Sequence, residues 1–306
     1  MEKIRAKSFI ARPSGPHPIK STRLPEYTEL RYNYKIKNHQ AKLYKHKKRS
    51  LLMMQMMTPQ KGNFQMSNSK KDIIIFNPTP NEFEAVKRHV GAASFRNINP
   101  TVIESGMGKI NAAFQMAAEV LPRVEGGKKP AVVIGAGTSG SLNMKLTGGD
   151  MIVSNAAIIA DWRMEDDFNR HCAAYGDINF RAVEPSLAEE MTIACTDPIV
   201  TTLLDRLENR GFKRGRMLTS DTFVAGINNK LRLGHEFGCL ACDMESAAFG
   251  YTASKRLDGI PWFNLRVVAD TIDESLSDYV NMEIDMVEIL GGKTVEALTI
   301  LDELLA

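Results

Sequence analysis

Asp72-Ile73-Ile74-Ile75-Phe76-Asn77-Pro78-Thr79-Pro80-Asn81-Glu82 is the stretch on which the fold turns. A short apolar run that ends on Asn-Pro-Thr-Pro reads as a buried strand leaving its sheet for a turn. Asn81 then suits a helix N-cap, with Glu84 three residues on as its capping-box partner. Working outward, further strands are predicted at 101–104, 131–135, 151–154, 216–219, 240–243 and 262–268. Amphipathic helices are predicted at 109–121, 196–210, 245–256 and 281–304. Apolar strands alternating with helices need cover on both faces of the sheet, which makes the fold class α/β. No internal repeat is visible.

Toward the N-terminus the texture changes. Residues 1–71 hold 17 Lys/Arg against 3 Asp/Glu, whereas residues 72–306 hold 22 against 33. The basic arm has scattered prolines, Pro13, Pro16, Pro18 and Pro25 among them, a Lys45-His46-Lys47-Lys48-Arg49 cluster and little hydrophobic periodicity. Such a composition buries too little surface to offset its ordering entropy, so 1–71 is expected to be a disordered extension. Tyr27, Tyr32, Tyr34 and Tyr44 among the charges keep a nucleic-acid role open, as does an organelle-targeting one; the plainer reading is a dispensable extension upstream of Met66. Four cysteines at irregular spacing make no disulfide framework. No run of eighteen apolar residues exists to span a membrane, and the N-terminus lacks the apolar core of a secretory signal. These features together fit a reducing, cytoplasmic setting without a membrane partner.

Several segments carry possible chemistry. Gly135-Ala136-Gly137-Thr138-Ser139-Gly140 follows a strand and spells G-x-G-x-x-G, with Asp161 about twenty residues on. Only seven residues separate it from Gly148-Gly149-Asp150 and a new strand, too few for the helix a dinucleotide site needs. A ligand-holding glycine turn and a tight structural turn both remain open. Cys239-Leu240-Ala241-Cys242 has no second pair to complete a zinc site, and on a strand the two thiols would point to opposite faces; buried structural thiols are the better reading. Three carboxylates, Glu82, Glu245 and Asp270, fall at strand-to-helix junctions, where open α/β sheets bind ligands. Each alone reads equally as a cap or a dipole partner.

Five motifs in order carry a resemblance. Gly137-Thr138-Ser139-Gly140, Gly149-Asp150 with its following strand, Thr219-Ser220-Asp221-Thr222-Phe223, Asp243-Met244-Glu245-Ser246-Ala247 and Arg266-Val267-Val268-Ala269-Asp270 resemble those of nucleoside phosphorylases and nucleosidases. Ser105-Gly106-Met107-Gly108-Lys109 is similar to the methylthioadenosine/S-adenosylhomocysteine nucleosidase branch. The chain departs at Ala269, where that family has Ser, at Ser220, where it has Gly, and across 161–177, with Arg163, Arg170 and His171. The resemblance covers Ile73 to the C-terminus and implies a three-layer α/β/α sandwich around a twisted mixed sheet.

It also implies a purine nucleoside as ligand, cleaved at its N-glycosidic bond without metal or organic cofactor. Asp270 is then the acid at purine N7, and Glu82 the base for water. Glu245 binds the ribose hydroxyls, Met244 packs on the ribose, and Phe223 stacks on the purine beside the backbone of Val224. Arg266 orients the carboxylates or Thr138. Hydrolysis is favoured because Glu82 stands in a first-junction sequence that lacks the phosphorylase arginine; phosphorolysis is the alternative. A catalytically silent nucleoside-binding protein and a dinucleotide oxidoreductase are the readings from other classes. A homo-oligomer, as a homodimer, is expected, and no nucleic-acid partner beyond what the basic arm leaves open.

Overall fold

The computed structural model describes residues 69–161, 163–165, 171–173, 192–271 and 276–306, with the side chains of 163–165, 171–173 and 276–284 outside that description. The basic arm and most of 162–191 thus lie outside the described residues, as do the side chains of Arg163, Arg170 and His171. The chain divides between Met66 and Ser67, and every described residue belongs to the second unit.

In chain order the elements are β1 (Lys71–Asn77), α1 (Pro80–Ala92), β2 (Ile98–Glu104), α2 (Lys109–Glu125), β3 (Val132–Ser141), β4 (Met151–Ser154), β5 (Ala156–Ile159), β6 (Arg163–Glu165) and β7 (His171–Ala173). They continue with β8 (Thr192–Ala194), α3 (Pro198–Glu208), β9 (Lys213–Arg214), β10 (Met217–Thr219), α4 (Ile227–Phe237), β11 (Ala241–Asp243), α5 (Ser246–Tyr251), β12 (Trp262–Asp270) and α6 (Leu276–Leu304). Helix α5 runs on as a π-helical turn over Thr252–Arg256. Ten strands form one mixed sheet, in which β1 pairs parallel with β2 and β3, and β3 parallel with β12; β11 is antiparallel to β3. Helices α1 and α3 pack with α6, and α2 packs with α5, so the sheet is the middle layer of an α/β/α sandwich. Its core is the fully buried Ile73–Phe76 run, Val132–Ile134 and the apolar residues of β12.

The arrangement around β3 makes the site. β12 follows one edge of β3 from Val133 to Gly140. On the other edge β1 pairs only as far as Gly135, and β11 comes from the opposite direction to pair Gly140 and Ser141. Residues 136–139 therefore face a gap between two strands that run toward each other.

Three local expectations are corrected. Gly135–Gly140 is not a turn but the interior of strand β3. Glycine is needed there because β12 sets large polar side chains directly opposite: Arg266 pairs Gly137 and Asp270 pairs Gly140. A Cβ on Gly137 would collide with Arg266 Nη1, and one on Gly140 would lie 2.7 Å from Asp270 Oδ1. The cap of α1 is Thr79, not Asn81, and its capping-box partner is Glu82, not Glu84; Pro80 takes the first helical position, where a missing N–H costs nothing. Finally, β11 begins only at Ala241, so Cys239 precedes the strand and packs in the same small apolar cluster as Cys242 instead of on an opposite face. Both thiols are unpaired and buried, and burial pushes Cys239 up to about 12 and Cys242 higher still.

Candidate active site

A pocket of about 270 Å³ opens at the gap in the sheet. Its wall includes Glu82, Thr138, Phe223, Val224, Met244, Glu245 and Asp270, so seven of the eight predicted site residues line one cavity. The eighth, Arg266, is fully buried and sits behind the wall.

Glu82 occupies the place of the missing strand. Its Oε1 accepts hydrogen bonds from the Thr138 backbone N–H at 2.7 Å and the Thr138 hydroxyl at 2.8 Å. Its Oε2 accepts from the Thr79 backbone N–H at 2.9 Å, closing the capping box. The neighbouring orphan, the Ala136 carbonyl, accepts from Asn77 Nδ2 at 2.7 Å. Glu82 is thus both a helix cap and a ligand of the β3 gap. Burial raises its proton affinity above the ordinary carboxylate value, against Arg266 and three hydrogen bonds that favour the charged form.

Glu245 stands at the N-cap position of α5 but makes no capping bond. Its Oε1 accepts from the Gly108 N–H at 2.9 Å, which ties the Ser105–Lys109 loop to the pocket, and its Oε2 lies 3.5 Å from Arg266 Nη1. Despite that cation, its carboxyl is pushed up to about 8. Burial is the main cause, and Asp243 and Glu82 add like charge. Arg266 is taken first by Asp243, with Nε 2.9 Å from Oδ2. Asp243 is held in turn by the Thr219 hydroxyl at 2.8 Å and by Ser246. With Arg266 paired directly to Asp243, its attraction does not offset the burial of Glu245.

Asp270 ends β12 and is 2% exposed. Its Oδ2 receives an ion pair at 2.6 Å from Lys230 on α4, a lysine with no exposed surface. Phe223 stands at the pocket mouth, 39% exposed, while Val224 is buried beside it. Lys109 links the surrounding loops by ion pairs to Asp161, at 2.5 Å, and to Asp221, at 2.8 Å. Sequence reasoning missed Lys230 and the pocket-lining Pro78, Thr79 and Met107. Lys230 had a usable signal, since it shares one helical face with Leu233 and Phe237, where an apolar residue is the rule.

A three-layer sandwich with a carboxylate-lined pocket at strand ends defines a class of small-molecule site, and here the class can be given a family. A sequence model of the phosphorylase superfamily matches residues 70–305, and the chain belongs to that superfamily. Among its relatives, the 5'-methylthioadenosine/S-adenosylhomocysteine nucleosidase of Exiguobacterium sp. is 25% identical over 221 residues, spanning 71% of this chain and 86% of that protein. In three dimensions the chain resembles the Helicobacter pylori nucleosidase of the same name, solved with a pyrrolidine-based ligand, with a TM-score of 0.58, 18% identity and coverage of 74% and 97%. It resembles the futalosine hydrolase of Helicobacter pylori with a TM-score of 0.58, 19% identity and coverage of 76% and 98%.

Proposed function

We propose that the protein hydrolyses the N-glycosidic bond of a purine nucleoside of the 5'-methylthioadenosine/S-adenosylhomocysteine type, releasing free base and free sugar. The observation that carries the reading is the charge of the pocket wall. Among the described residues it includes Glu82, Asp243, Glu245 and Asp270 and no lysine or arginine. A phosphate would find no cation on that wall to bind it, whereas water needs none. The 25% identity to a named nucleosidase supports the same side of the choice.

The reaction needs a base for water and an acid for the departing purine. Glu82 is the base: two hydrogen bonds from Thr138 and one from Thr79 fix its carboxylate without side-chain freedom. Asp270, across the same pocket, is the acid at N7. Glu245 accepts from the ribose hydroxyls, Met244 packs on the sugar, and Phe223 stacks on the base with the backbone of Val224 at its edge. Arg266, behind the wall, holds Asp243 and Glu245 in register and favours the ionised form of Glu82. The setting is the cytoplasm. The working form is a homodimer in which a second copy covers Ile110, Phe114 and Leu121, exposed at helical spacing on α2 beside the pocket residue Met107. Sedimentation should give a dimer for the native chain and a monomer for Phe114→Asp; an unchanged dimer assigns the interface elsewhere.

Incubation with methylthioadenosine, adenosine and inosine in phosphate-free buffer tests the reaction. Free base and free sugar are expected from at least one of them, and Glu82→Gln should abolish the release. Cleavage that appears only with phosphate, and yields a sugar 1-phosphate, overturns hydrolysis.

A further inference from the structure

Lys230 is a fully buried cation. It sits on the apolar face of α4 with no exposed surface, donates to Asp270 Oδ2 at 2.6 Å, and donates again to the Thr271 carbonyl at 2.5 Å. Lysine is almost never fully buried without cause, and a buried ion pair is a poor stabiliser compared with apolar packing of the same volume. A purely structural role therefore explains little of why a cation stands here. Its position explains more. α4 follows directly on the Phe223–Val224 segment of the pocket, and Lys230 reaches from it to the end of β12. Ala269, just before Asp270, offers no hydroxyl to hold the acid.

We propose that Lys230 is a positioning residue of the reaction, which fixes the Asp270 carboxyl and offsets the negative charge left on it when the purine takes its proton. The inference rests on Asp270 being the acid. In the step itself the carboxyl O–H breaks and N7–H forms. The bonding pair stays on the Asp270 oxygen, and the electrons of the glycosidic bond pass into the purine. The carboxylate so produced is buried, and an ammonium already in contact spares it the cost of uncompensated charge.

Cys242 and Asp243 of β11 stand near the pair. Cys242 is held as a thiol by burial, and Asp243 is engaged by Arg266. β3 contributes only Ser139, Gly140 and Ser141 opposite Asp270. The acid must carry its proton, and a neighbouring cation makes it release that proton at lower pH; removing the cation should move the alkaline limb of kcat/KM upward, by about 1–3 pH units.

The experiment is a pH profile of purine release for Lys230→Met, Lys230→Gln and Asp270→Asn, with folding followed by circular dichroism. Met removes both charge and hydrogen bond and can unfold the protein; Gln keeps a donor of similar reach without the charge. Both folded variants should show the alkaline limb moved upward, with kcat lowered on the order of 10-fold or more in Met and less in Gln. A limb that stays in place in the folded variants, while Asp270→Asn is inactive, overturns the role of Lys230 alone. Near-normal turnover by Asp270→Asn instead removes the acid assignment beneath it.

Discussion

Arg266 lies 2.9 Å from Asp243 and 3.5 Å from Glu245, and its charge also reaches Glu82. Its Nη1 and Nη2 are buried without a hydrogen-bond partner among the described residues. With Asp243 taking the direct pair, Glu245 is left protonated up to about 8, well above its ordinary 4.5. Between those two pH values the folded protein binds more protons than the unfolded chain, so stability falls as pH rises through that window and levels off above it. Glu245→Gln removes the group that ionises. Its thermal midpoint, measured without ligand, should gain on that of the native protein between pH 5 and pH 8.5. A difference that stays constant across that range would show that Glu245 does not titrate there. At Glu82 burial alone raises the proton affinity, against the lowering influence of Arg266 and the Thr138 and Thr79 hydrogen bonds.

At the scale of elements, β3 shows why part of the fold was legible in the sequence and part was not. β1 and β4 read directly because Ile73–Phe76 and Met151–Val153 are unbroken apolar runs, and both strands formed as expected. The second half of β3 did not, because strand propensity is low for Gly-Ala-Gly-Thr-Ser-Gly and the cause of the glycines lies on another strand. Helix α4 was missed because Lys230 interrupts its apolar stripe. The pocket positions of Glu82, Glu245 and Asp270 were legible from their junctions, whereas the contact between Lys230 and Asp270 needed the third dimension. The close approach at Gly137 makes a sharp prediction. An added methyl group would meet Arg266 Nη1, Glu82 Oε1 at 3.1 Å and Pro78 Cδ at 3.2 Å, all of them buried or fixed. Gly137→Ala should therefore destabilise the protein by about 1–3 kcal/mol. It should also lower turnover well beyond what that loss explains at temperatures where the variant is folded. Denaturant melts and assays on the same sample separate the two, and normal turnover would show that Arg266 has room to move.

At the scale of the molecule, the sequence contains two chemically different parts. The acidic part begins in structure at Lys71, whose backbone N–H bonds to the Asn97 carbonyl at 2.7 Å as β1 enters the sheet, and Lys70 Nζ reaches the Phe95 carbonyl at 2.6 Å. From there to the C-terminus the chain supplies its own core, every described pocket residue and the full match to its superfamily. The earlier residues, with 17 Lys/Arg against 3 Asp/Glu up to Lys71, bring charge and proline but little apolar surface to bury. Their removal should therefore leave the sandwich and its pocket as they are. A protein starting at Met66 is expected to remain soluble, to melt as one cooperative transition, and to release purine at the rate of the full chain. Equal rates at low salt carry most weight, because a basic arm that steered an anionic partner would act most strongly there. Loss of soluble protein or of turnover on truncation would assign the arm a part in folding or catalysis that its composition does not suggest.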